Sequence, residues 1–229
     1  DKRRRFLNIS ISQLSKPYYV ALSRYNKILE QRNNLLKNRD MSLVYETLPV
    51  WDEQLCKYAA VVAAKRTEFA AMLAPLAMEI HSYLTDGAEV LEISPEKKYK
   101  GDEKELSEKL FAELSANYER DIRLGFTASG PHRDDLDIVI DGADAKNFAS
   151  QGQMRTAALS VKLAEVEIFK KMSGEYPVLI LDDVMSELDL PRRKKLVART
   201  VGLQTILTCT HAERVLYGKE VHKIRIEGG

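Results

Sequence analysis

The sequence is poor in cysteine, lacks long apolar runs and has no excess of charge of one sign. Cys56 and Cys209 are the only cysteines in 229 residues, so we expect no disulfide framework and a reduced, cytoplasmic location. The strongly apolar runs have the length of a strand, so we expect no membrane span and no membrane partner. The formal net charge of +1 gives no global basic field, and any nucleic-acid contact must be a local patch.

A nucleotide phosphate loop is also missing, because no stretch matches Gly-x-x-x-x-Gly-Lys-Ser/Thr. The first residues, Asp1 to Arg5, lack the apolar stretch of a signal peptide and resemble the middle of a longer protein. We therefore expect a fragment. Its composition, 45% hydrophobic and 30% charged, supports one large or two small globular domains.

The amino-terminal half is predicted to be mainly helical. Apolar and aromatic residues recur in steps of three and four from 14 to 35 and again from 55 to 83, which is the spacing of one seam along a supercoiling helix. A turn-like region from Asn38 to Pro49 would join the two helices into an antiparallel hairpin. Each seam carries an arginine, Arg32 or Arg66. We expect both side chains to reach solvent, and contact with a partner is the alternative.

Beyond the hairpin, strands and helices alternate, which argues for an α/β layer with parallel central strands. The predicted strands are Val90–Ile93, Leu136–Ile140, Ala145–Phe148, Val178–Leu181, Thr205–Thr208 and Val221–Ile226, and the predicted helices are Glu103–Arg120, Met154–Lys171 and Pro191–Thr200. The strands at 178 and 205 are expected to be buried. We place a helical arm at 1–120 and an α/β lobe at 121–229.

An apolar strand ends in two carboxylates, Asp182 and Asp183. In open α/β sheets, ligands bind at the carboxyl ends of the strands. Asp182 would hold Mg²⁺, and Asp183 would orient and polarise the attacking water in phosphoryl transfer. The alternative is that the pair caps the next turn. The run Ser186-Glu187-Leu188-Asp189 follows, in which Asp189 could instead be the amino-terminal cap of the next helix.

The turn Ser150-Gln151-Gly152-Gln153 opens a long helical pattern. Glycine allows close approach to the backbone, and the free amides at a helix amino terminus form a natural anion site. Ser150 and the amide of Gly152 could therefore contact a terminal phosphate. The alternative is an ordinary helix cap, in which Ser150 or Gln151 satisfies backbone donors.

Three ordered motifs resemble the RecF family of bacterial recombinational-repair ATPases. They are Gly130-Pro131-His132-Arg133-Asp134-Asp135-Leu136, the run from Ser150 to Leu159, and Leu181-Asp182-Asp183-Val184-Met185-Ser186-Glu187-Leu188-Asp189. The amino-terminal segments Arg3–Leu7 and Tyr25–Asn33 resemble that family's helical arm. The resemblance implies the carboxy-terminal lobe of an ABC-type, SMC-like ATPase head with a short helical arm, an α/β fold that lacks here its phosphate-loop lobe.

The resemblance also implies how the residues act. In that family ATP is held between two heads, so Ser150, Gly152 and Gln153 would act in trans on the ATP of a second copy. Asp182 would bind Mg²⁺ and Asp183 would be the general base in cis. Ser186 and Asp189 would form the D-loop that crosses the dimer interface. The family acts at gapped DNA, with single-stranded and double-stranded parts, and works with RecO and RecR to load a recombinase in repair, replication restart and the SOS response.

Several further residues are candidates for binding. His211 follows a predicted strand, at the place of the switch histidine that senses the terminal phosphate in many ABC heads, although the RecF family usually has no histidine there. The alternative is a helix-cap histidine at the surface. The densest basic clusters are Lys2 to Arg5, with Arg3, Arg4 and Arg5, and the run Arg192, Arg193, Lys194 and Lys195, which could bind DNA phosphates. Arg133 is a phosphate contact in one interpretation, and in the other it pairs with Asp134 or Asp135 to fix a turn.

Two other functions stay open at this point. The chain could be a non-catalytic interaction module, or the head of another SMC-like chromosome ATPase, although its arm is far shorter than an SMC coiled coil. If the RecF resemblance holds, we expect the complete protein to be a weak DNA-stimulated ATPase that dimerises on ATP. This chain alone is expected to be inactive, because it contains no phosphate loop.

Overall fold

The computed structural model describes residues 2–38, 40–96, 99–210 and 221–225. Its helices are α1 (Lys2–Leu14), α2 (Lys16–Leu35), α3 (Met41–Thr85), α4 (Glu103–Ala116), α5 (Tyr118–Leu124), α6 (Ala145–Phe148), α7 (Gln151–Ser173) and α8 (Leu190–Arg199). Its strands are β1 (Leu91–Pro95), β2 (Leu136–Ile140), β3 (Ala143–Asp144), β4 (Leu179–Asp182) and β5 (Thr205–Thr208), and a 3-10 helix spans Val184–Glu187. None of the helices in these ranges combines the length and hydropathy that a membrane-crossing segment needs.

The predicted helical hairpin is confirmed by α2 and α3. Arg32 bonds Asp52, and Tyr18 bonds Arg66, so residues further along α2 meet residues earlier in α3, as in an antiparallel pair. The connecting turn is shorter than predicted. Asp40 accepts hydrogen bonds from the first amides of α3 and starts the helix at Met41, and the helix continues through Pro49.

The expectation that Arg32 reaches solvent is wrong. Its side chain is fully buried, and it donates to Asp52 at 2.5 Å, to Asp121 at 2.7 Å and to the Thr127 hydroxyl at 2.8 Å. Burial by itself lowers the pKa of Arg32, but the bonds and charges of the two aspartates outweigh it and raise that pKa. The hairpin seam therefore contains a buried ion cluster.

Arg66 also departs from this expectation, because its side chain is only partly exposed and its guanidinium is bonded within the helical unit. It donates to the Pro131 carbonyl at 2.5 Å, to Asn8 at 2.7 Å and to the Tyr18 hydroxyl at 3.2 Å. Its side chain therefore connects α1 and α2 to the loop that follows residue 129.

One predicted strand and one predicted helix differ in the structure. The turn at Asp141-Gly142 is confirmed, with φ of 52° and 78° at its two central positions, but Ala145–Phe148 is the helix α6 and no return strand. The Asp144 side chain accepts from the Lys146 amide and so caps α6, which limits β3 to two residues. The predicted helix 103–120 is interrupted at Asn117, between α4 and α5.

Strands β4 and β5 pair in parallel, as predicted, with Ile180 opposite Ile206. The prediction that both are fully buried is wrong. Leu179 and Leu181 are buried, whereas Ile180 is 65% exposed and Ile206 53% exposed. Within the described residues this two-stranded sheet is covered on one face only, so its side chains alternate between the core and solvent.

The chain divides into two compact units. The helical unit contains residues 1–75 and 92–139, and the α/β unit contains residues 76–91 and 140–229. The predicted domain boundary near residue 120 stays a prediction, because these two units are compact groups of contacting residues and each combines separate stretches of the sequence. The last predicted strand is wrong over 221–225, where the structure has no strand, and Ile226 lies outside the described residues.

Candidate functional site

The acidic pair lies where β4 ends. Asp182 is the last residue of the strand, and Asp183 follows with φ 49° and ψ 20°, a left-handed conformation that few non-glycine residues adopt. Both residues are exposed, and the Asp183 carboxylate makes no hydrogen bond or ion pair within the described residues. The sharp bend therefore directs Asp183 away from the strand and leaves its carboxylate available to a ligand.

Thr208, at the end of the neighbouring strand, holds this bend. Its hydroxyl donates to Asp182 Oδ1 at 2.6 Å and accepts from the Asp183 amide at 3.0 Å. The Ser186 hydroxyl closes the other side by donating to the Asp183 carbonyl at 2.8 Å. Thr208 is in none of the sequence motifs. The signal that could have found it is the parallel register, which places residue 208 opposite residue 182.

The pair has the ligands for a magnesium ion in the presence of phosphate. Among the described residues no group of three or more histidine, cysteine or acidic side chains could hold a metal alone. Mg²⁺ binds one or two protein carboxylates and takes its other oxygens from water and from the phosphates of its substrate. Asp182, with Oδ1 oriented by Thr208, fits that donor set.

The Ser150 turn is a complete capping box at the start of α7. Ser150 Oγ accepts from the Gln153 amide at 3.2 Å, and Gln153 Oε1 accepts from the Ser150 amide at 2.9 Å. The helix-cap interpretation of Ser150 is therefore realised here. It leaves the amides of Gln151 and Gly152, in the first turn of α7, without an intrahelical acceptor, because the first four amides of a helix have none.

Nothing within the structure requires glycine at position 152. A Cβ added there would meet only Ser150 Oγ, at 3.9 Å, and φ is not positive. Glycine in a helix costs about 1 kcal/mol of stability relative to alanine. Internal packing therefore does not explain this cost, and the role of Gly152 at a phosphate stays a prediction.

The two motifs meet within the α/β unit. Arg155, in the first turns of α7, pairs with Glu187, in the 3-10 helix after the acidic pair, at 3.4 Å. Both side chains are about half exposed, so the pair adds little stability. Its consequence is positional, because it connects the start of α7 to the segment that contains Ser186 and Asp189.

Asp189 is the amino-terminal cap of α8, as one interpretation of the sequence predicted. Its side chain accepts from the Arg192 amide at 2.9 Å. We expect Asp189→Ala to lower the free energy of unfolding by about 1 kcal/mol, and Asp189→Asn to change it little, because asparagine caps as well as aspartate. Chemical denaturation of the three proteins checks this.

Equal stability of the wild type and Asp189→Ala would contradict the capping role. The D-loop role of Asp189 is separate from this result. It stays a prediction, which the asparagine variant can address because it keeps the cap and removes the charge.

Most of the basic run on α8 is committed to contacts within the α/β unit. Arg192 lies 3.8 Å from Glu89 and 3.2 Å from Asp189, and Lys195 lies 2.7 Å from Asp86. Arg193 donates to the Leu188 carbonyl at 2.7 Å. The structure gives Lys194, which is exposed, no such contact among the described residues. DNA binding by Arg192, Arg193, Lys194 and Lys195 stays a prediction, and the first, second and fourth would have to exchange partners.

The loop from Gly130 to Asp135 is fixed in the helical unit by bonds from several elements. Gly130 has φ 126°, and a Cβ there would lie 2.9 Å from the Tyr25 hydroxyl, so glycine is required. His132 Nε2 donates to the Thr127 carbonyl at 3.0 Å, which leaves Nδ1 to accept from the Tyr25 hydroxyl at 2.6 Å. Burial lowers the pKa of His132, in keeping with this neutral tautomer.

The acidic end of this loop is held as tightly. Asp134 accepts from the Tyr99 hydroxyl, and Asp135 pairs with Arg3 at 2.6 Å. Arg4 donates to the Arg133 carbonyl at 3.3 Å. The structure thus brings together the predicted amino-terminal basic cluster and the predicted loop arginine, which are far apart in the sequence. Arg5 is exposed on α1, and His211 lies outside the described residues.

Comparison with known proteins places these motifs in context. A scan against protein-family models gave no match. The chain is 46% identical over 214 residues to the DNA replication and repair protein RecF of Lachnoclostridium phytofermentans, and 44% identical over 208 residues to that of Clostridium acetobutylicum. These alignments cover 93% and 91% of the chain but only 58% and 57% of the relatives, so the chain spans a little over half of their length.

Solved structures agree with the sequence comparison. A structure of the recombination mediator protein RecF-ATPrS in the RecFOR pathway matches with a TM-score of 0.82 at 36% identity, over 93% of this chain and 58% of the other. A structure of RecF-ATP matches with a TM-score of 0.80 over the same shares. The likeness confirms the predicted fold class as that of the RecF structures, an α/β part with a mostly helical arm.

Proposed function

The chain belongs to the RecF family of DNA replication and repair proteins, and we propose that it supplies the dimer-facing half of an ATP-driven head. The sequence contains no phosphate loop, so the proposal assigns that loop to a segment outside it. The solved relatives are RecF with ATP or an ATP analogue, which supports ATP as the nucleotide. ATP binding and turnover then belong to the longer protein, with this chain as a necessary part.

The proposal gives the acidic pair the chemistry in cis. Asp182 would hold Mg²⁺, which would supply charge neutralisation at the phosphates, and Asp183 would accept the proton of the attacking water. Splitting these roles between neighbouring carboxylates suits phosphoryl transfer, in which positioning and electrostatics supply most of the rate. The observation that carries the proposal is the pair of hydrogen bonds made by the Thr208 hydroxyl, to Asp182 Oδ1 and from the Asp183 amide. They hold Asp182 in place and keep the bend that leaves the Asp183 carboxylate without a bond among the described residues.

The Ser150 turn acts in trans. The free amides of Gln151 and Gly152 face a terminal phosphate bound to the second copy, with Ser150 and Gln153 beside them, so that ATP closes the dimer. Ser186 and Asp189 lie in the segment that crosses the interface. The glycine at position 152 supports this arrangement. A methyl group there fits within one copy, and it would obstruct only the second copy and its bound ATP.

The biological setting follows from the RecF relatives. We infer that the longer protein acts at gapped DNA, with RecO and RecR as partners, and promotes recombinase loading during repair and replication restart. Two further features of the chain are in keeping with a cytoplasmic site of action. Cys56 and Cys209 are both free, and burial raises the pKa of the Cys56 thiol to about 12, so that it is inert.

The test uses this chain extended at its amino terminus with the phosphate-loop segment of a RecF relative, called here the extended protein. Gly152→Ala is expected to raise the free energy of unfolding by up to about 1 kcal/mol, because alanine favours helix. The same change is expected to weaken ATP-dependent dimerisation roughly tenfold, by overpacking the interface. Ser150→Arg is expected to abolish dimerisation. Denaturation curves and sedimentation with and without Mg-ATP measure both properties.

The two readouts separate function from folding. A damaged fold would lower stability and dimerisation together, whereas the proposal requires Gly152→Ala to move them in opposite directions. If the extended protein dimerises equally well with Ser150→Arg, the turn is only a helix cap. The interaction-module hypothesis would then replace the ATP-driven dimer.

A further inference from the structure

One side chain of the fixed loop remains at the surface. The guanidinium of Arg133 lies 4.9 Å from the centre of the Phe126 ring, which is itself 37% exposed. Within the described residues the structure gives this guanidinium no hydrogen bond and no ion pair, so Asp135 pairs with Arg3 instead. The turn-fixing role that one interpretation gave to a pair between Arg133 and Asp135 is therefore filled by Arg3.

The backbone that carries Arg133 is unusually well fixed for a loop. Pro131, His132, Asp134 and Asp135 each bond a different side chain, from Arg66, Tyr25, Tyr99 and Arg3. Binding residues on a rigid support lose little conformational entropy when they engage a ligand. The ring of Phe126 adds to this by restricting the guanidinium plane through a cation–π contact.

Further positive charge lies next to Arg133. Arg4 donates to its carbonyl, and Lys2 and Arg5 are exposed on the same helix α1. Arg3 is paired with Asp135 at 2.6 Å, whereas Lys2 and Arg5 have no hydrogen bond or ion pair among the residues that the structure describes. We call Lys2, Arg4, Arg5, Phe126 and Arg133 the loop–α1 surface.

We propose that the loop–α1 surface binds the sugar-phosphate backbone of nucleic acid, with Arg133 as its principal contact. The inference rests on the DNA-related function proposed above and names a surface for it. A planar guanidinium presents a fork of donors that matches two phosphate oxygens. Contacts to phosphate and sugar carry no sequence information, so binding through them is independent of base sequence.

The chain has two candidate basic surfaces, one on α8 and the loop–α1 surface. On α8 the charges of Arg192 and Lys195 are already neutralised by Glu89 and Asp86, and releasing them would break ion pairs within the α/β unit. On the loop–α1 surface the Arg133 guanidinium needs no such exchange. A phosphate that binds Arg133 can therefore release its counterions without breaking an ion pair among the described residues.

The experiment measures DNA affinity of the extended protein on a gapped duplex at several salt concentrations. Arg133→Ala is expected to weaken binding about tenfold near 0.1 M salt, the effect of one charge-assisted contact. It should also reduce the slope of log K against log salt by about 1. Arg133→Lys should recover part of the affinity, and Phe126→Leu should weaken binding less than Arg133→Ala, because it only frees the guanidinium.

Two matched variants make the outcome decisive. Arg120→Ala removes an exposed arginine of α5 and should leave both affinity and slope unchanged, and Lys194→Ala tests the α8 surface. Chemical denaturation of Arg133→Ala should give a free energy of unfolding within about 0.5 kcal/mol of the wild type, because the guanidinium makes no hydrogen bond or ion pair among the described residues. A loss that is larger for Lys194→Ala than for Arg133→Ala, or an unchanged salt slope for Arg133→Ala, would overturn the proposal while leaving the head mechanism intact. Failure of the wild-type extended protein to bind DNA would refute the proposed function itself.

Discussion

Asp183→Asn is expected to reduce ATP turnover by the extended protein roughly 10²- to 10⁴-fold, the usual contribution of a general base. The same variant should still bind Mg-ATP and dimerise, because Asp182 and the Ser150 turn are unchanged. The measurement is single-turnover hydrolysis, combined with sedimentation in Mg-ATP. The expected state is a dimer that retains bound ATP and forms and releases ADP and phosphate very slowly.

The structure makes this substitution unusually specific. The Asp183 carboxylate makes no bond within the described residues, so asparagine removes none. Asparagine also tolerates the left-handed conformation that residue 183 adopts, with φ 49°. The backbone bonds to Thr208 and Ser186 involve the amide and carbonyl, which both residues have. Loss of turnover would thus report on the proton acceptor and not on folding.

A matched control is available on the same unit. Glu175→Gln neutralises an exposed carboxylate beyond the end of α7. Among the described residues only the backbone of Glu175 is hydrogen-bonded, to the Ser173 hydroxyl. It should leave turnover at the wild-type rate. Turnover within about threefold of wild type for Asp183→Asn would assign the base to another group, since a general base contributes at least about 10²-fold. The free carboxylate would then serve only to bind the metal.

How far the sequence predicts the structure depends on the range of the interaction concerned. The Ser150 turn and the acidic pair were located correctly, because a cap or a strand end is decided by neighbouring residues. Thr208 was missed, since its role arises from a register between strands 26 residues apart. Residues 145–148 form a helix and not the predicted strand, because the cap from Asp144 outweighs the strand pattern.

Burial was the other property that sequence patterns misjudged. An apolar run such as Val178 to Leu181 looks the same whether one or both faces of its strand are covered, and here Ile180 is exposed. Arg32 shows the converse. An arginine on an apolar seam normally extends to solvent, and only its long-range partner Asp121, from α5, together with Asp52 allows it to be buried.

Arg32→Met is expected to lower the free energy of unfolding of the helical unit by about 3–5 kcal/mol. Methionine fills a similar volume, but it leaves Asp52 and Asp121 buried without their counter-charge, and this desolvation is the main penalty. Trp51 is the only tryptophan, and it precedes Asp52 directly in α3. Its fluorescence in chemical denaturation therefore reports on the region that the substitution disturbs.

Two further variants separate charge from packing. Arg24→Met replaces an exposed arginine of the same helix α2 and should change stability by less than about 0.5 kcal/mol. The triple variant Arg32→Met, Asp52→Asn, Asp121→Asn removes the unpaired charges, and it should recover a large part of the loss, because the remaining amides are cheaper to bury than carboxylates. If the triple variant is as unstable as Arg32→Met, the cluster stabilises the hairpin through shape and hydrogen bonds, and charge compensation is secondary. Recovery would instead mean that the arginine is needed mainly because the two aspartates are there, so that the cluster fixes which residues of α2, α3 and α5 meet.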